Sequence, residues 1–303
     1  MTIEAPTALS NRYDFVLLFD VTDGNPNGDP DAGNMPRVDP ETMHGFVTDV
    51  AIKRKVRDYI GTARDNQPPY RIYVQHQGRG GKALNELHAE AHVAAKIDAK
   101  DAKNPAAEKR EEARRWMCDN FFDVRAFGAV MSTGVNAGQV RGPLQLTFAR
   151  SVDPIAPSEV TITRVAKTTV ERAEKAGTTE MGRKNMIPYG LYRAYGFVSP
   201  SYARQTGFSD TDLDLFWQAL LRMFEDDRSA SRGFMATRRL IAFRHESPLG
   251  NAPAQDLLER VEVHRKPGVD VARQFADYEV SVNVTELPAG VSVVEPHADY
   301  GSR

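Results

Sequence analysis

Between Tyr13 and Val21 the side chains of Phe15, Leu17, Phe19 and Val21 alternate onto one face, and Val16 and Leu18 make the other face apolar too. A run apolar on both faces predicts a strand in the interior of a sheet. The polar stretch Thr22 to Phe46, rich in Asn, Gly, Asp and Pro, then reads as a loop longer than ordinary connections, a length associated with function or mobility. Thr48 is placed to cap a helix running to Ile60, in which Ile52, Val56, Tyr59 and Ile60 share one apolar stripe. Lys53, Arg54 and Arg57 fall on an adjoining flank and Lys55 on the opposite edge, so reversing the three flank cations should leave the stripe and the fold intact.

Further along, Arg71 to Gln75 reads as a strand and Gly78 to Lys82 as a glycine-rich turn. Leu84 to about Phe121 is helical but broken at Asn104 and Pro105, which predicts a peripheral helical pair. Val124 to Gly128, Leu144 to Phe148 and Val160 to Val165 read as strands. The polar Ala166 to Asn185 stretch lies between strand-like flanks and predicts a protruding hairpin, followed by a strand over Tyr189 to Val198. Ser209 caps a second helix whose stripe is Leu213, Phe216, Trp217, Leu220, Leu221 and Phe224. Late strands are expected at Arg239 to His245 and Tyr278 to Val284. This order, without an internal repeat, predicts an α+β protein whose sheet carries helices on one face.

Composition narrows the function classes. The 303 residues suffice for one large domain or two ordinary ones. The 39 cations against 41 anions give a net charge of -2, so any surface that holds a polyanion must be local. A single cysteine, Cys118, excludes an intramolecular disulfide and a cysteine zinc cluster, and fits a reducing compartment. The N-terminal segment lacks a basic-then-apolar signal pattern and no apolar run reaches membrane-spanning length, so a cytoplasmic location is expected.

Several short motifs compete with plainer explanations. Asp23, Asn25, Asn27, Gly28, Asp29 and Asp31 match the opening of a calcium loop, but Asn34 stands where the bidentate glutamate belongs, which favours Asx-turn chemistry. His88 and His92 have the i, i+4 spacing of zinc ligands without a third partner nearby, so polar residues on a solvated helix face are the preferred explanation. No nucleophile, base and orienting group stand out for acyl transfer. Arg193, Tyr195, Gly196, Phe197 and Val198 echo the strand motif whose aromatics stack on bases in RNA-recognition sheets, although Ala194 and Pro200 break it. The strand, glycine-rich loop and cationic helix of Tyr13 to Ile60, with the basic stretch at Arg183 and Lys184, supply the separated cationic elements that tracking a phosphate backbone requires.

Longer blocks carry a resemblance. The residues from Asn11 to Lys55, then DVRAFGAVM at Asp123 to Met131, GQVRGPLQLTFARSVDPI at Gly138 to Ile155 and MGRKNMIPYGLYRAYGF at Met181 to Phe197, resemble the backbone subunit of type I-C CRISPR Cascade, the Csd family of the RAMP superfamily. The resemblance implies a hand: a modified RRM or ferredoxin-like palm (about 11–80, 122–165 and 189–285), inserted helical fingers (about 84–121) and a hairpin thumb (about 166–188). It implies CRISPR RNA held by Arg37, Thr48, Lys53, Arg54 and Arg57, by Arg125, Phe127 and Gly128 on the palm, and by Met181, Gly182, Arg183 and Lys184 on the thumb. The implied partners are that RNA, the target DNA strand paired to it, further copies head to tail, and the Cascade large and capping subunits. Neither a cofactor nor catalysis is implied. The competing expectation is a metal-dependent endoribonuclease that uses Asp29 or Asp31, and a third is a calcium-stabilised assembly module.

Overall fold

The structure is a computed structural model that describes residues 8–76, 81–164 and 180–297. Its central strand is β1 (Tyr13–Gly24), as the two-faced apolar run predicts. β1 lies between the long β10 (Glu180–Val198) and β11 (Phe234–His245), antiparallel to both. The sheet continues from β11 to an edge strand β14 (Val291–Val294), and from β10 to β8 (Ala149–Pro154) and β4 (His44–Val47). β7 (Leu144–Leu146) pairs with the C-terminal end of β10, and β9 (Ser158–Arg164) pairs with its beginning.

One face of this sheet, with Phe15, Leu17, Phe19 and Val21, packs on two helices. These are α1 (Asp49–Ala63), through Ile52, Val56 and Ile60, and α6 (Asp210–Arg222), through Leu213, Phe216 and Leu220. A short helix, α5 (Pro200–Thr206), leads from β10 into α6. The Thr48 and Ser209 caps form as the sequence predicts, Thr48 Oγ accepting from the Ala51 amide and Ser209 joining a capping box with Asp212. The opposite face, with Val16, Leu18, Leu191, Ile241 and Phe243, is closed by the short helix α7 (Ala254–Leu258) and by β12 (Val261–Arg265), which pairs with β13 (Tyr278–Val282). The architecture is therefore α+β with an antiparallel sheet, in keeping with an RRM-like palm. Helices α2 (Leu84–Ala94) and α3 (Ala107–Asn120) flank the expected break and build a separate core from Leu87, Ala91, Met117, Cys118 and Phe121.

Three local expectations fail. Val124 to Gly128, read as a strand, lies mostly in a helix, α4 (Phe122–Phe127), and only Gly128 begins a strand, β5 (Gly128–Val130), which pairs with β6 (Gln139–Arg141). A short apolar run does not distinguish buried strand from buried helix, and every residue of α4 is buried. The switch falls at Gly128 because φ is +83° there and a Cβ would stand 2.5 Å from the Val140 carbonyl oxygen. Arg71 to Gln75 forms no named strand, only one parallel bridge from Arg71 to Phe121. The amides of Ile72, Tyr73 and Val74 are taken by the Asn66 and Asp123 side chains, which leaves them unavailable to a ladder. The long loop after β1 is not structureless: β2 (Gly28–Asp29) pairs with β3 (Met35–Pro36) before the chain enters β4.

Candidate nucleic-acid interface

The start of α1 opens onto a cleft of about 410 Å³ lined by Asn25, Asn27, Thr48, Arg54, Lys55 and Arg232, among others. Asn27 shapes its mouth. Its Oδ1 accepts from the Thr48 amide at 3.0 Å and from the Thr48 hydroxyl at 3.1 Å, fixing the loop to the helix cap. The Thr48 hydroxyl is consequently employed in structure as well as standing at the cleft. Helix dipole and cations act in the same sense here, since the first turn of α1 favours a negative charge.

The four cations of α1 separate into different environments. Arg54 is the exposed one, 57% accessible, and among the described residues its ion pair is a loose one, 3.8 Å from Asp58 on its own helix. Lys55 is buried, because the spacing Ile52, Lys55, Val56, Tyr59 puts it inside the apolar stripe rather than on the opposite edge. Burial, followed by the Arg232 and Arg54 cations, lowers its ammonium to about 7, and a close ion pair with Asp227 favours the charged form. Asp227 also pairs with Arg232, so one carboxylate stands between two cations at the cleft. Lys53 binds Asp49 at 2.9 Å and lies over the Phe127 ring. Arg57 donates to Asp123 at 2.7 Å, with Asp123 itself 1% accessible and accepting from the Tyr73 and Val74 amides. Arg57 thus neutralises a buried carboxylate that orders the segment after α1.

The DVRAFG block is interior up to Phe127, and Gly128 is half-buried at the start of β5. Arg125 is held bidentately by Asp212 at 2.7 and 3.0 Å and donates to the Pro69 and Cys118 carbonyls. Phe127 is buried against Phe216, with Lys53 and Arg57 over its ring. Arg37 sits beside the loop, 3.5 Å from Asp29, with its Nε buried and without a hydrogen-bond partner. Met181 and Arg183 are exposed on the hairpin formed by β9 and β10, where Arg183 pairs loosely with Glu159 and Lys184 lies opposite Val160. Asn185 at the hairpin base donates to the Gly33 carbonyl, tying hairpin to loop. The rest of the expected thumb, 166–179, lies outside the described residues, as do Gly78, Arg79 and Gly80 of the glycine-rich turn.

The metal readings find little geometry. Asp29 Oδ1 accepts from the Asp31 amide as a cap and faces Arg37, the Asx chemistry expected of this loop. Among the described residues no group of three or more His, Cys, Asp or Glu is disposed to hold a metal. His88 and His92 are buried rather than solvated. His88 is fastened between the Tyr73 hydroxyl and the Val135 carbonyl, and His92 to the Asn136 carbonyl. No helix among the described residues is long and apolar enough to cross a membrane.

The family profile described as CRISPR-associated protein Cas7 matches residues 11–283. This chain belongs to the Cas7 family. A Haloferax volcanii protein described as CRISPR-associated protein Cas7 is 26% identical to this Cas7-family chain over 310 residues, spanning 95% of it and 84% of the relative. Similar solved chains come from a CRISPR RNA-guided surveillance complex, pre-nicking (TM-score 0.47, 16% identity, 77% of this chain and 78% of that one). Another comes from a CRISPR RNA-guided surveillance complex (TM-score 0.43, 13% identity, 77% and 68%). Of the residues lining the cleft, the sequence reading set Thr48 and Arg54 against RNA, gave Asn25 and Asn27 to the calcium-loop match and Lys55 to the opposite edge of the helix, and did not single out Arg232. The signal for Lys55 was available: a lysine at a stripe position of an amphipathic helix must find a buried partner.

Proposed function

We propose that this Cas7-family chain is a non-catalytic CRISPR RNA-binding backbone subunit that assembles in several copies along the guide of a type I-C Cascade surveillance complex. The observation that carries this reading is the cleft at the start of α1, where an exposed Arg54, Lys55 and Arg232 converge beside a capped helix terminus. A phosphate entering it would compete with Asp227 for two cations and with Asp58 for the third. Such contacts grip a backbone without reading bases, which leaves sequence to pairing between the guide and the target DNA strand. The exposed Met181 and Arg183 on the hairpin supply a second element along the same chain of phosphates. Head-to-tail contacts between copies need not close into a ring and so extend with the RNA, with the large and capping subunits at its ends. The cytoplasm is the compartment in which such a complex would work.

The test is the salt dependence of binding to single-stranded RNA. Arg54→Glu should weaken affinity and lower the slope of log K against log salt by about 0.7 for each phosphate that the variant no longer neutralises. An unchanged slope and affinity would remove Arg54 from the interface. Loss of binding on chelation, or magnesium-dependent RNA cleavage abolished by Asp29→Asn or Asp31→Asn, would replace this reading with the nuclease.

A further inference from the structure

The sheet face opposite α1 carries an open cleft of about 530 Å³, bounded by Thr147, Phe148, Arg150, Arg193, Tyr195 and the β12 residue Val263. This is within the size range of sites that take small molecules. Three features of its walls are unusual for a surface with no ligand. Arg193 and Arg150 are directly opposed across β10 and β8, and like charges in that position repel. Among the described residues Arg150 reaches Asp39, at 3.5 Å and with 63% of its own side chain accessible, while Arg193 donates to the Val261 carbonyl and keeps a buried Nε without a partner. Phe148 is half exposed and stacks in parallel on Phe46, which continues the same cross-strand row on β4. The fourth wall is Tyr195, the one aromatic of the RNA-recognition-like motif that still lines an opening. Tyr195 and Phe197 both pack against the apolar layer closed by α7, β12 and β13, and of the two it is Tyr195 that lines the cleft.

The geometry points to a second nucleic-acid subsite, for one unpaired nucleotide of a single strand, with its base on Phe148 or Tyr195 and its phosphate between Arg150 and Arg193. Aromatic faces accept any base, and a phosphate between the two arginines removes the repulsion that the bare face carries. The threonine and serine hydroxyls of the cleft are already engaged and do not select the sugar. Thr147 Oγ already donates to the Phe148 carbonyl and accepts from the Tyr195 amide, and Ser151 Oγ donates to the Asp153 carbonyl and accepts from the Gly45 amide. Single-stranded DNA and RNA therefore share the chemistry that fits. The site is on the other side of the sheet from the α1 cleft and does not depend on it.

The experiment is photocrosslinking of the full chain to short single strands carrying 5-iodouracil, one arm DNA and one arm RNA, with the crosslinked peptides mapped. Crosslinks at Phe148 or Tyr195 in at least one arm, retained in Arg54→Glu and reduced about tenfold or more in Phe148→Ala and in Arg150→Glu, are expected. The arm that crosslinks identifies the strand. Absence of these crosslinks from the unsubstituted protein in both arms overturns the subsite, as does their loss in Arg54→Glu, which would make them part of the α1 interface. Efficient competition by polyglutamate at matched charge, with no competition by unlabelled oligonucleotide, would assign the cleft to an acidic protein and also overturn it. Arg150 is largely exposed and Phe148 half exposed, so the Arg150→Glu melting temperature should match the parent and that of Phe148→Ala should fall only by the loss of its stack on Phe46.

Discussion

Removing Arg57 separates the structural cations of α1 from those proposed to face RNA. Its guanidinium is the charged partner of Asp123, a carboxylate 1% accessible whose two oxygens also accept from the Tyr73 and Val74 amides. Arg57→Ala leaves that buried charge supported only by the two amides, and breaking one side of a buried pair costs about 3 to 5 kcal/mol. The surviving amide bonds place the expected loss near about 3 kcal/mol. Arg54→Ala, at a side chain 57% accessible with a 3.8 Å partner, should change stability by less than about 0.5 kcal/mol. Urea unfolding of both variants at constant m value measures the difference, and amide exchange at Tyr73 and Val74 reports the local loosening. RNA affinity under native conditions should show the reverse order, weakened by Arg54→Ala and little changed by Arg57→Ala. If Arg57→Ala loses less than about 1 kcal/mol while RNA affinity collapses, Arg57 faces RNA and the division of the α1 cations into structural and RNA-facing groups is refuted.

Other outcomes follow from buried groups. Gly196 lies beneath Phe15, whose ring atoms would come within 2.0 to 2.6 Å of an added Cβ, so Gly196→Ala should cost about 1 to 3 kcal/mol in urea unfolding. A neutral effect would mean that β1 and β10 have room to separate at this point. His88 has its pKa lowered from 6.5, first by burial and further by the neighbouring His92. Because the folded state resists protonation, its stability is fullest above the unfolded value and falls as pH drops through 6.5 toward the folded value. His88→Gln should flatten that segment of a stability profile, and an unflattened profile would place the acid-sensitive group elsewhere.

The fold was legible where periodicity extends over many residues. The two-faced run of β1 and the stripes of α1 and α6 follow from spacing, and the break between α2 and α3 from Asn104 and Pro105. Short segments were not, because side chains distant in sequence decide them: Asp123 takes the amides that would have made a strand at Tyr73, and all of α4 is buried. The interface was legible only as charge. Sequence grouped Lys53, Arg54 and Arg57 as one solvent-facing flank whose reversal would spare the fold. Yet Asp49 and Asp123 claim two of them, and the buried Lys55 lines the cleft instead. Carboxylate partners 66 and 172 residues away in the chain cannot be read from the helix that needs them.

The most direct measurement is the native mass of complexes formed between the purified chain and single-stranded RNAs of increasing length, with chelator or with magnesium. A backbone subunit should add one copy at regular increments of RNA length, leave the RNA intact and be indifferent to metal. A mass that stays fixed as the RNA lengthens, or RNA shortened only when magnesium is present, would contradict it.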